Sequence, residues 1–127
     1  MHIAGRQIAK YLLSVGALVV ITSALVSCLL NPFNQRPNPV IAIVGGGLPY
    51  GVAPFAISFD ISGSNDPDGN IVLYVFDFGD GSDPVEGTDL SQPITHTYDT
   101  PGSFFAKLTV TDNGGMAAAV MLAVGVN

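Results

Sequence analysis

From residue 40 to the end, apolar and polar positions alternate in short runs, and a period of two predicts strands rather than helices. Phe55, Ile57 and Phe59 share one face of residues 55–60. Val72, Tyr74, Phe76 and Phe78 share one face of residues 71–78, as do Phe104, Ala106, Leu108 and Val110 in residues 104–111. Residues 40–44, 94–98 and 116–126 supply further runs. Between them stand turn signals: Gly45-Gly46-Gly47, Pro49-Tyr50-Gly51, the polar cluster 62–69, Pro101-Gly102 and the tight turn 112–115. The long polar loop 79–93 has room for a short edge strand. No stretch carries a helical apolar stripe of useful length.

About seven short strands punctuated by turns predict an all-β chain folded as an immunoglobulin-like antiparallel sandwich. Its expected core is Phe59, Tyr74, Phe76, Phe78, Phe104, Leu108, Val110 and Val124. The strands at 71–78, 104–111 and 116–126 are expected side by side in one sheet.

The first forty residues follow a different pattern. Arg6 and Lys10 precede twenty residues, Tyr11 to Leu30, that carry no charge. A basic start followed by an apolar run is the layout of an export signal. The run closes on Leu25-Val26-Ser27-Cys28, which resembles a bacterial lipobox, with Cys28 as the residue that takes lipid. Twenty apolar residues also suffice to span a bilayer, so an uncleaved anchor and plain cleaved secretion remain open. Each reading puts the following part outside the cytoplasm, because Arg6 and Lys10 hold the N-terminus inside. Leu29 after the cysteine favours the outer membrane or cell surface. The chain thus divides into a signal or anchor at 1–27, a linker at 28–38 and a folded domain at 39–127. The proline-rich segment 31–39 reads as a semi-rigid spacer.

Charge then narrows the function. All ten acids lie between Asp60 and Asp112, and only Arg36 and Lys107 follow Cys28. Such a surface repels phosphate backbones, which excludes nucleic acid as a partner. A single cysteine excludes an intrachain disulfide, so core burial alone must hold the fold. His2 and His96 are the only histidines, too few for a zinc cluster. No serine elbow and no phosphate-binding loop is present, and the chain is expected not to be an enzyme.

Four phrases carry a family resemblance. Ser64-Asn65-Asp66-Pro67-Asp68-Gly69 is followed by Tyr74-Val75-Phe76-Asp77-Phe78-Gly79-Asp80-Gly81. His96-Thr97-Tyr98 with Pro101-Gly102 comes next, then Leu108-Thr109-Val110-Thr111-Asp112. In this order they resemble a PKD (polycystic kidney disease) domain over roughly residues 39–126. The resemblance implies an extracellular sandwich used for protein–protein or protein–carbohydrate contacts, or as a spacer. The family usually has tryptophan where Phe76 stands and tyrosine where Phe104 stands. Asp77, Phe78, Gly79, Asp80, Gly81, His96 and Tyr98 form its structural motif. Gly79 and Gly81 suit positive φ, and the Tyr98 hydroxyl is expected to reach upstream backbone.

Two candidate sites follow. Asn38, Asp66, Asp68 and Asp112 are expected at one end of the sandwich, where their oxygens suit calcium, the one cofactor the residues admit. The outward face of the central sheet carries Leu73, Val75, Phe105 and Met121, with Ala117, Ala119 and Ala123. A half-solvated sheet normally shows polar residues there, so this face is expected to bind a partner. The expected function is a membrane-tethered binding module. Its partners are the membrane, through lipid or anchor, and another envelope or surface protein, with a glycan ranked lower. A structural spacer of the cell envelope is the alternative.

Overall fold

The computed structural model describes residues 33–127, so the apolar segment at 1–27 and Cys28 lie outside the described residues. Eight strands follow in order: β1 Ala42–Ile43, β2 Tyr50–Gly51, β3 Phe55–Asp60, β4 Ile71–Asp77, β5 Val85–Gly87, β6 Ile94–Tyr98, β7 Gly102–Asp112 and β8 Ala117–Val126. A single 3-10 turn, Val44–Gly46, separates β1 from β2. One sheet has the order β1-β3-β6, the other β2-β8-β7-β4-β5. All pairings are antiparallel except β2 with β8.

The apolar faces of the two sheets meet in one core. Phe59, Ile61, Phe76, Tyr98, Ala106, Leu108 and Val110 have no exposed surface. Phe59 and Phe76, from opposite sheets, bring their ring centroids to 4.8 Å, and Phe78 sits 5.3 Å from Phe76. Burying each such side chain contributes about 1.5–3 kcal/mol. Phenylalanine at position 76 therefore fills its site completely.

Three local features depart from the simple alternating pattern. The first apolar run breaks after Ile43, because Gly45 and Gly46 take φ of 75° and 69° and turn the chain away. The chain then crosses to the other sheet, where Tyr50 and Gly51 pair with Gly125 and Val126. The segment expected to be only a break is thus an edge strand, too short for any alternation to reveal. In β4, the register shifts between Ile71↔Asp112 and Leu73↔Thr111, leaving Val72 as an extra residue. This bulge turns Val72 outward, 45% exposed, against the inward position that period two predicts.

The β7–β8 hairpin is the longest pairing, running from Gly102↔Val126 to Thr111↔Ala117. Its turn is closed by Gly115 N–H donating to Asp112 O at 3.1 Å, with Gly115 at φ 88°. This hairpin carries Asp112 to the end of the sandwich where the 61–70 loop emerges.

Candidate functional site: the acidic loop end and the outer sheet face

Asp112 is almost completely buried, with 1% of its surface exposed. Its Oδ1 accepts from Gly114 N at 2.9 Å and Met116 N at 2.8 Å, which fixes the hairpin turn. Its Oδ2 accepts from Asn34 Nδ2 at 3.0 Å. Asp68 Oδ2 accepts from Gln35 N at 2.9 Å. Asn38 forms a two-way backbone bridge with Asn65, at 2.7 and 3.1 Å. Residues expected as spacer are therefore tied to the loops from Asn34 onward, and Pro37 among them is buried.

The 61–70 loop and the 112–116 turn are joined in the same way. Asn113 N donates to Asn70 O at 2.9 Å, and Asn113 Oδ1 accepts from Asn70 N at 3.1 Å. Gly69 fits where a side chain would not. A Cβ there would lie 2.3 Å from Asn113 Oδ1 and 2.8 Å from Asp66 Oδ2.

Asp66 stands apart from its neighbours. Both carboxylate oxygens are closed to solvent and have no hydrogen-bond partner among the described residues. Burial pushes its carboxyl above the usual range, the adjacent Asp68 pushes it further, and the Asp112 charge adds to both. It borders a recess of about 310 Å³, lined also by Ser64, Asn70, Ile71 and Leu90. An orphaned carboxylate with two more nearby is donor chemistry suited to a hard cation. Among the described residues, however, no three Asp, Glu, His or Cys side chains are grouped so as to hold a metal by themselves.

Of the four residues singled out for a cation, Asp66, Asp68 and Asp112 come together at this end. Asn38 serves through its backbone, and the side-chain amide that meets Asp112 comes from Asn34. Sequence reasoning missed Asn34 because it lies inside a proline-rich segment that reads as spacer. The paired asparagines at 34 and 38 were the only available signal.

The structural motif lies at the other end of β4. Asp77 Oδ1 accepts from Gly79 N at 2.9 Å, and Gly79 and Gly81 take φ of 76° and 86°. Tyr98 Oη donates to Phe78 O at 2.9 Å inside the core. The His96 ring stacks on Phe78, with centroids 3.9 Å apart and planes 9° from parallel, and Nε2 lies 2.7 Å from Asp80 Oδ2. Burial pushes the Asp80 carboxyl up, but the Ser82 hydroxyl, the His96 ring and the Ser82 amide outweigh it and hold it down at about 2. Burial first, then the Asp80 and Asp77 charges, push the Tyr98 hydroxyl up to about 12. These hydrogen bonds hold the loop.

The outer face of the larger sheet presents Phe105 at 59% and Met121 at 61% exposure, with Leu73 less exposed and Val75 half-buried. These residues do not form an unbroken patch. Val75 and Leu73 stand opposite Thr109 and Thr111, Met121 opposite Lys107, and Lys107 opposite Asp77. Ala117, Ala119 and Ala123 extend the face along β8.

The PKD domain model matches residues 38–124. A microbial collagenase from Vibrio alginolyticus is 36% identical over 85 residues, covering 67% of this chain and 9% of that protein. The chain therefore spans less than a tenth of that relative. A solved structure described as the basis for promiscuous specificity of carbohydrate-binding modules from the β-sandwich superfamily is 36% identical. It superposes with a TM-score of 0.62 over 74% of this chain and 35% of that chain. The PKD1 domain of the Vibrio cholerae metalloprotease PrtV is 29% identical, with a TM-score of 0.55 over 73% of this chain and 99% of that domain.

Proposed function

Because this chain belongs to the PKD domain family, we propose that it acts as a binding module outside the cytoplasm and performs no chemistry of its own. The observation that carries this reading is the outer face of the larger sheet, where Phe105 and Met121 stand more than half exposed. An exposed phenylalanine and methionine flanked by threonines and one lysine form a mixed surface of the kind that protein partners bury. A protein partner is favoured over a glycan, since the chain has no tryptophan to stack on a sugar ring.

The test is association with an envelope extract. Phe105→Lys and Val75→Lys each lower capture at least tenfold. Thermal stability of Phe105→Lys stays within the roughly 0.5 kcal/mol that surface substitutions usually cost. Unchanged capture by both variants contradicts the reading.

Two further features belong to the same proposal. The N-terminal apolar segment tethers the module, by lipid on Cys28 or as an anchor. Cys28→Ser abolishes fatty-acid labelling if lipid is the tether and leaves membrane association intact if the segment is an anchor. Calcium binds at the acidic loop end, where Asp66 offers unpartnered oxygens and Asp68 and Asp112 add charge. Amides, backbone carbonyls and water supply the remaining ligands. Calcium at a hundred times its Kd then stabilises the fold by about 2.7 kcal/mol, and Asp66→Asn removes that gain.

A structural spacer is the second reading. The fastening of Asn34, Gln35 and Asn38 to the loops favours it, since it makes the junction stiff. It predicts that no face-directed substitution alters association.

A further inference from the structure

β3 is paired unequally on its two sides. With β6 it forms five pairs, from Phe55↔Tyr98 to Phe59↔Ile94. With β1 it forms two, Ala42↔Asp60 and Ile43↔Phe59, after which the chain turns away at Val44–Gly46. Among the described residues, the flank of Phe55–Ser58 on that side has no strand partner. In its place lies a groove of about 500 Å³, lined chiefly by Ile43, Val44, Leu48, Tyr50, Phe55 and Ile57. A Cβ on Gly51 would fall 2.3 Å from the Phe55 ring, so the crossing chain closes tightly at that end.

The surroundings of the groove are unusually apolar for an exposed segment. Val44, Leu48, Tyr50 and Val52 are 49%, 61%, 59% and 73% exposed within nine residues of sequence. At about 150–250 Å² for a large side chain, this is roughly 400 Å² of apolar surface. A standard interface buries about 800 Å² on each partner, so this area is too small to hold a second copy of the chain. It suits a single strand. Four extended residues span about 13 Å, matching the free flank. Unpaired backbone groups beside side-chain pockets are the conditions for adding a strand to a sheet edge. No charged residue lines the groove, whereas the chain from residue 33 on carries ten acids against Arg36 and Lys107. A bound strand is therefore apolar in the middle and basic at its flanks.

We propose that the free flank of β3 is a docking groove for an extended apolar peptide strand of another protein. This goes beyond the function proposed above, which uses the opposite sheet. The probe is a labelled octapeptide of alternating valine and threonine with a lysine at each end, titrated by fluorescence anisotropy against the full chain. Saturable binding is expected. Leu48→Asp and Tyr50→Asp weaken it at least tenfold, and Phe105→Lys leaves it unchanged. N-methylation of one alternating set of peptide amides abolishes binding, while methylation of the other set is tolerated. That last comparison uses the unaltered protein, so it stands even if a variant folds poorly. Absence of saturable binding up to millimolar peptide overturns the proposal. So do equal affinity for both N-methylated peptides and an unchanged affinity in Leu48→Asp. A dimer that Leu48→Asp converts to monomer, with no peptide bound, assigns the groove to a second copy and overturns it too.

Discussion

Tyr98 and Asp80 show how single side chains fix the loop after β4. The Tyr98 hydroxyl is the hydrogen-bond partner of a buried carbonyl, Phe78 O. Tyr98→Phe leaves that carbonyl unpaired and costs about 1–3 kcal/mol, read as a lower urea midpoint at unchanged slope. Asp80 gives a pH signature. Its carboxyl is held at about 2, below the ordinary 3.8, so its stabilisation is complete above about pH 4 and is lost as pH falls through 2. Comparing wild type with Asp80→Asn isolates the effect, because Asp66, whose carboxyl is raised, contributes in the opposite sense. The wild-type advantage above pH 4 is about 1–2 kcal/mol after solvent screening, and it disappears near pH 2. These residues were legible in the sequence because turn aspartates and glycines sit at fixed offsets. The partner of Asp112 was not, since Asn34 lies 78 positions away and only the folded chain brings them together.

Among the strands, long alternating runs were readable and short or irregular ones were not. β3, β7 and β8 each bury one face in strict alternation, so their inward sides followed from period two. β2 has two residues and pairs in parallel across a sequence gap, a contact with no local signature. The bulge at Val72 likewise depends on how β4 meets β7. Gly79 tests the junction of these elements. It takes a positive φ, and a Cβ there would lie 2.4 Å from the backbone oxygen of Phe105. Backbone cannot yield as a flexible side chain can, so Gly79→Ala destabilises by about 2 kcal/mol or more in chemical denaturation. Gly81→Ala, with no atom within 4 Å of its Cβ, costs only the φ strain and falls short of that.

As a whole, the molecule places its acids on loops and strand ends, Glu86 in β5 apart, and leaves apolar residues on two separate surfaces. Its core is ordinary for a small sandwich: Phe76→Ala costs about 3–5 kcal/mol, a large share of total stability. What distinguishes the chain is what it leaves uncovered, the outer face around Phe105 and Met121. A photo-reactive amino acid placed at position 105, and separately at Gln92 in the exposed loop before β6, tests this most directly in intact cells. A discrete protein adduct is expected from position 105 and none from position 92. Adducts of equal yield at both positions, or none at 105, contradict it.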